Sequence, residues 1–370
     1  MKHKIRSVVV FGVKALVAAA ILGWLFSRMD VGRVWTTVRD ARAWDLSLAV
    51  LIMAATLPVV GWRWHRLLRV YGVELPMPLL MTTVHAGQLF ALVLPGSLGE
   101  DFIRTTYIAN ISQRRTSIVL ASVFADRVAA LLGLLFLALV SMPAHWGLLQ
   151  NGGMQTRLLS MGMLAAAACA LSGTVVLACV GPARLRAWLS PVLTRIPGGE
   201  RLQEWFGTLE KLLVSPGVFR AVMTGALATQ VLLCGVYYLC GTAVGVHASF
   251  GAWLGFVPVI LAANVIPITV AGIGIREYLL VLFLSVVVGV EQTQAMAVSL
   301  LVLAVSLFQS LSGVVSYLWV QPKLAARARN ARPPIPADAS PQQPPSSAAE
   351  ANSPMSAVAD AAKAAPAARD

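Results

Sequence analysis

The chain has 370 residues, 58% of them hydrophobic and only 12% charged, with a mean hydropathy of +0.75. Its uninterrupted apolar runs of membrane-spanning length exclude a soluble domain and predict a polytopic membrane protein. The formal net charge of +13, from 29 Lys plus Arg against 16 Asp plus Glu, sits in short stretches beside those runs; it reads as a topology signal and lipid-headgroup contact, and excludes nucleic acid as the expected partner.

Lys2, Lys4 and Arg6 place the N-terminus in the cytoplasm. A first span near 8–26 leads out; it is too long for a signal-peptide core and no clear small-residue cleavage site follows it, so it is expected to be retained. The stretch 27–45, read as a loop, mixes four arginines with Asp30, Asp40 and Asp45, and a second span, near 46–62, returns to Arg63, Arg66 and Arg69, a cytoplasmic mark. Residues 78–94 then carry no charge and end at a Pro-Gly break, after which 102–115 closes on Arg114-Arg115. A full crossing there would strand Arg104, Arg114 and Arg115 outside, whereas a re-entrant hairpin returns them to the cytoplasm. A span at 117–140, an external loop at 141–157 and a span at 158–180 follow. The basic stretch 184–213 comes next, in which Leu202, Trp205, Phe206 and Leu209 fall at helical spacing and predict an amphipathic helix on the cytoplasmic surface.

Beyond a span at 218–243, residues 221–275 contain no Lys, Arg, Asp or Glu. A second break divides 252–266 from 278–290, and the last span, near 294–320, runs into Lys323, Arg327, Arg329 and Arg332. A cytoplasmic C-terminus requires this second broken pair to open to the external face. The expected fold is therefore an all-α polytopic membrane protein of about six full spans plus two opposed re-entrant hairpins in an inverted repeat, eight to nine apolar segments in all. Residues 1–322 form the membrane domain, and the tail 323–370 is expected to be disordered, having 14 Ala, 8 Pro and no aromatic residue in its last forty positions.

The two breaks share a pattern. Leu94-Pro95-Gly96-Ser97 leads through Gly99, Glu100 and Asp101 to Arg104, and Pro267 leads through Gly272 and Gly274 to Arg276-Glu277, with an arginine nine positions after the proline each time. Proline withholds a backbone donor and glycine tolerates sharp turns, so both stretches interrupt helices; at membrane depth such a break persists only where protein or a wet cavity covers it. Ser97 and Glu100 have capping-box spacing. With the helix start and the permanent charge of Arg104 they can grip a phosphate; the alternative is that Glu100, Asp101 and Arg104 serve as cap, dipole partner and topology anchor. Arg276-Glu277 are the only charges between Arg220 and Glu291, which suits a ligand or gating role or else an ion pair with Asp126 or Glu100. Asp126 and Arg127 lie inside the 117–140 span, pointing about 100° apart, each available for a partner or a substrate. His85, Gln88 and Asn264 approach the breaks, Asn264 being able to satisfy carbonyls freed by Pro267.

Cys169, Cys179, Cys234 and Cys240 all lie in apolar runs without metal-ligand spacing, so neither a metal ion nor another cofactor is expected. No Walker loop, H-E-x-x-H or G-x-S-x-G is present.

At the two breaks and at Asp126-Arg127 the sequence resembles the lysylphosphatidylglycerol synthase transmembrane-domain family, whose members are also described as flippase-like, over about residues 5–322; Glu100 stands where a second glycine is common. The resemblance implies a bacterial cytoplasmic-membrane protein that moves lipid between leaflets, with relatives linked to hopanoid and glycolipid export. The soluble aminoacyl-transferase domain of the full synthase has no counterpart after the last span, so lipid aminoacylation is not expected. The leading expectation is a translocase for an anionic, glycosylated or hopanoid-type lipid, with Arg104, Arg276 and Arg127 at the headgroup. The alternatives are a non-catalytic partner of a lipid-synthesis or export complex, docking through 184–211, and a polytopic lipid-modifying enzyme using Glu100, Asp101 or Glu277.

Overall fold

The computed structural model describes residues 30–93, 98–141, 216–263 and 274–320, with single positions at Gly23, Ser27, Met154, Met161, Pro322 and Ala326. Apart from those single positions, the expected span 8–26, the external loop, the span 158–180, the amphipathic segment 184–213 and the tail fall outside this set, as do Ser97, Asn264, Pro267 and Gly272. Among the described residues every regular element is helical.

α1 covers Val31–Arg39, within the stretch expected to be a loop. It forms because the Asp30 carboxylate caps it, accepting from the Arg33 backbone N–H at 3.2 Å, while Val34 and Val38 pack inward at helical spacing. α2 covers Ala43–Val70 and corrects the expected span 46–62 at its far end. Trp64, Leu67 and Leu68 are fully buried, so the helix keeps a packed face well beyond residue 62 and continues through Arg63, Arg66 and Arg69. α3 covers Met77–Val93, α4 Leu98–Ser112, α5 Thr116–Ser141, α6 Pro216–Ala243 and α7 Phe250–Ala263. α8, Ile275–Phe283, runs into a π-helical turn at Leu284–Val288; α9, Gln292–Val315, runs into another at Ser316–Val320.

Four of these helices, α2, α5, α6 and the stretch Gln292–Leu318 that contains α9, are long and apolar enough to cross a membrane, and α7 is a shorter apolar helix. The start of α2 meets the end of α6, where the Arg42 backbone N–H donates to Ala243 O at 2.9 Å and its Nη2 to Thr242 O at 2.7 Å. Further along, Gly225 of α6 lies against Trp62 and Arg63, so the two helices run antiparallel.

The broken segments pack at opposite ends of this framework. α3 and α4 lie together beside the C-terminal half of α2 and the N-terminal half of α5, burying Trp64, Leu79, Leu80, Ile108 and Val119 in one core. The turn before α3 is tied to the segment after α4 by Arg114 Nη2 donating to Gly72 O at 3.1 Å. α7 and α8 lie beside the C-terminal half of α6 and the N-terminal half of α9, in a second core around Trp253, Phe256, Phe283 and Met296. Here Gln294 Nε2 donates to Val244 O at 3.2 Å, again joining the two bases of a helix pair.

Small residues let these helices approach closely, which matters because lipid tails are as apolar as the side chains and contact energy must come from dispersion. A Cβ on Gly61 would stand 2.9 Å from Met81 Cγ, one on Gly133 2.9 Å from Ala226 Cβ, and one on Gly313 2.6 Å from His85 O. The last contact seats α3 on α9.

Candidate functional site: an arginine and carboxylate cluster

The α3–α4 pair and α5 converge on α2 at a group of charged residues. α4 contributes Glu100 and Asp101 from its first turn, and Arg104 one turn later. α5 contributes Asp126 and Arg127, and α2 contributes Arg63. Gly87 of α3 makes the room: a Cβ there would come within 2.9 Å of Glu100 Cγ.

Asp126 is the hub. Its Oδ1 accepts from Arg63 Nε at 2.6 Å and its Oδ2 from both terminal nitrogens of Arg104 at 3.4 Å. The three side chains are only 4%, 2% and 1% exposed for Arg63, Asp126 and Arg104. Arg104 also lies over the Trp64 ring, 4.3 Å from its centroid, and Trp64 Nε1 donates to Ser122 Oγ at 3.1 Å. Burial at this depth is tolerable because the cations have an anion, an aromatic face and hydrogen bonds around them.

Glu100 links this buried half to the outer half. Its Oε1 accepts from Arg104 at 3.3 Å and its Oε2 from Arg127 Nη2 at 2.8 Å. Arg127 then clamps Asp101, with Nη2 and Nε at 2.8 and 3.1 Å from Oδ1. Three arginines thus face three carboxylates, and the group is formally neutral. Neighbours in sequence, Asp126 and Arg127 look to different partners, as their angular offset on the helix requires.

α8 carries a separate arrangement. Gly274, buried and at φ +95°, a conformation open chiefly to glycine, donates its backbone N–H to Glu277 Oε2. The other oxygen of Glu277 accepts from Arg276 Nη2 at 2.6 Å and Nε at 3.0 Å. Glu277 therefore caps the start of α8 and neutralises Arg276, and the ion pair with Asp126 or Glu100, the alternative to a ligand or gating role, is not formed among the described residues. Among the described residues no hydrogen bond or ion pair joins the α8 pair to the first cluster.

A sequence profile described as lysylphosphatidylglycerol synthase TM region matches residues 11–313. The chain belongs to this family. It is a membrane protein with several crossing helices, and the lysylphosphatidylglycerol synthase TM region match takes in every residue of the cluster and the Arg276-Glu277 pair. Compared with curated proteins, the chain shows no significant match.

Of the residues anticipated from sequence in this family member, Glu100, Asp101, Arg104, Asp126 and Arg127 are brought together, with Gly99 buried beside them. Arg63, Trp64 and Ser122 are additions. Arg63 was expected to mark the cytoplasmic end of a span and is instead an internal counterion of Asp126. His85 is a joint between α3 and α9: its Nε2 lies 2.8 Å from Ser312 Oγ and 3.1 Å from Gln309 O, and its Nδ1 2.7 Å from Ser316 Oγ. The Oε1 of Gln88, one turn on, has no partner among the described residues.

Proposed function

We propose that the chain is a lipid translocase of a bacterial cytoplasmic membrane, moving an anionic, glycosylated or hopanoid-type lipid between leaflets. In this reading α3–α4 and α7–α8 are re-entrant hairpins entering from opposite faces within a frame of about six spans, and both termini are cytoplasmic. The single observation that carries it is the pair of base ties, Arg114 to Gly72 and Gln294 to Val244, which lie at opposite ends of α2 and α6. Two broken segments entering a bilayer from opposite sides bring helix ends to mid-depth, the arrangement by which many transporters build a site reachable from either face.

The cluster supports the same reading. Six ionisable groups within membrane segments are costly, and their presence is the expected mark of a polar path. The arginines Arg66, Arg69, Arg114 and Arg115 lie at the base of the first hairpin, and this concentration of positive charge supports a cytoplasmic side for that end. Vesicles reconstituted with the protein are expected to exchange a headgroup-labelled anionic lipid between leaflets faster than protein-free vesicles. Exchange no faster than in protein-free vesicles for anionic, glycosylated and hopanoid lipids alike would refute the proposal.

A further inference from the structure

We propose that Arg127 is the residue of the cluster that takes a phosphate-bearing lipid headgroup, and that Asp101 is its built-in competitor, displaced when the headgroup arrives. This rests on the translocase reading and adds a division of labour among three arginines. Arg63 and Arg104 are held by Asp126 from two sides with almost no exposure, so neither can reach a lipid without dismantling the junction of α2, α4 and α5.

Arg127 is different. Its side chain is 37% exposed, and it stands eleven residues into the 26-residue α5, about 16 Å along the helix at ~1.5 Å per residue. That is near the middle of the bilayer. A guanidinium so open at this depth cannot face acyl chains; a polar occupant has to meet it. Its Nε and Nη2 hold the carboxylates, while Nη1 makes no hydrogen bond among the described residues. The edge formed by Nε and Nη2, which now holds Asp101, is one that can grip a phosphate with two parallel bonds, and Nη1 is open to a further contact.

The two carboxylates are not equivalent competitors. Glu100 also has Arg104 at 3.3 Å, so it keeps a counterion when Arg127 turns away. Asp101 is paired with Arg127 alone among the described ion pairs, and its side chain is 20% exposed. A headgroup phosphate bearing one negative charge can take the place of Asp101 on Arg127, leaving Asp101 at the edge open to water. Neutralising Asp101 should therefore strengthen headgroup binding, the opposite of what a purely structural ion pair would do.

The test titrates full-length protein in neutral detergent with dioleoylphosphatidylglycerol, dioleoylglycerol and inorganic phosphate, reading binding by native mass spectrometry. Phosphatidylglycerol is expected to bind Arg127→Gln at least about tenfold more weakly than the unmodified protein, the loss of one charge-assisted contact, and to bind Asp101→Asn severalfold more tightly. Dioleoylglycerol should not distinguish the three. Inorganic phosphate following the same order makes the phosphate itself sufficient; phosphate that binds none of them assigns the site to the intact headgroup. Equal phosphatidylglycerol affinity in all three proteins overturns the proposal, and where Arg127→Gln fails to fold, an Asp101→Asn affinity no higher than the parent's does so alone. Leaflet exchange in vesicles separates the two layers of inference. The expected binding order without exchange above protein-free vesicles removes the translocase reading and keeps the Arg127 site; exchange unaltered by Arg127→Gln removes the site and keeps the translocase.

Discussion

Replacing Asp126 with asparagine tests the hub of the cluster. The substitution keeps shape and one carbonyl oxygen but removes the charge that meets Arg63 Nε at 2.6 Å and Arg104 at 3.4 Å. Arg104 retains Glu100 at 3.3 Å, whereas Arg63, 4% exposed and with its Nη1 already lacking a partner, is left as an uncompensated buried cation. One stranded charge rather than two places the cost near the lower end of the range for breaking a buried pair, about 3 kcal/mol. At ~2–4 °C per kcal/mol that is a fall in Tm of about 6–12 °C, measurable by intrinsic-fluorescence unfolding in detergent. Arg63→Met combined with Asp126→Asn removes the stranded cation and should recover at least half of the loss. A Tm for Asp126→Asn within about 1 °C of the parent, or a double variant whose loss is the sum of the single losses, would refute the pairing.

Other consequences follow from the helix contacts. Gly313→Val drives a Cβ to 2.6 Å from the His85 carbonyl oxygen and should cost about 1–3 kcal/mol through overpacking, seen as a lower Tm. His85→Ala removes the ring that bridges Ser312 and Ser316; hydrogen exchange should rise over residues 309–316 and stay unchanged in α7, by an opening cost of about 1–2 kcal/mol for the lost bonds. With the native cysteines replaced, Glu74→Cys before α3 and Glu291→Cys before α9 should be labelled by a membrane-impermeant maleimide from opposite faces of oriented vesicles. Labelling of both from one face is incompatible with hairpins that open to opposite leaflets.

The long apolar runs identified α5 and α6 almost to their ends, because a span that must satisfy all its backbone groups in lipid leaves an unbroken pattern of 20 or so residues. α1 and the end of α2 were harder to see, for a common reason: both carry charges that resemble loop composition. Yet the helical period persists in each. Val31, Val34 and Val38 follow the capping Asp30, and Trp64, Leu67 and Leu68 repeat at i, i+3 and i+4 through the arginines. Arg66 is exposed and lies 5.5 Å from the Trp62 ring centroid, while Arg63 shares the buried face, a distinction that depends on angular position and not on charge counting. The tips of both breaks lie outside the described residues.

Electroneutrality supplies the signal that charge counting by segment loses. Within α4 and α5 the carboxylates Glu100, Asp101 and Asp126 are matched only by Arg104 and Arg127, Arg114 and Arg115 lying in the link between the helices, an excess of one negative charge that a low-dielectric environment would not tolerate unpaired. A third cation is therefore required from a neighbouring helix. The candidates at the end of α2 are Arg63, Arg66 and Arg69, and only Arg63 shares the apolar face that continues through Trp64, Leu67 and Leu68. Treating buried charge as a quantity that must close across helices, rather than as a marker of where each helix ends, thus leads from sequence to the Arg63–Asp126 contact. It also singles out Arg127, one of whose carboxylate partners is shared with Arg104 and the other partly exposed, as the member of the cluster to which the headgroup role is proposed.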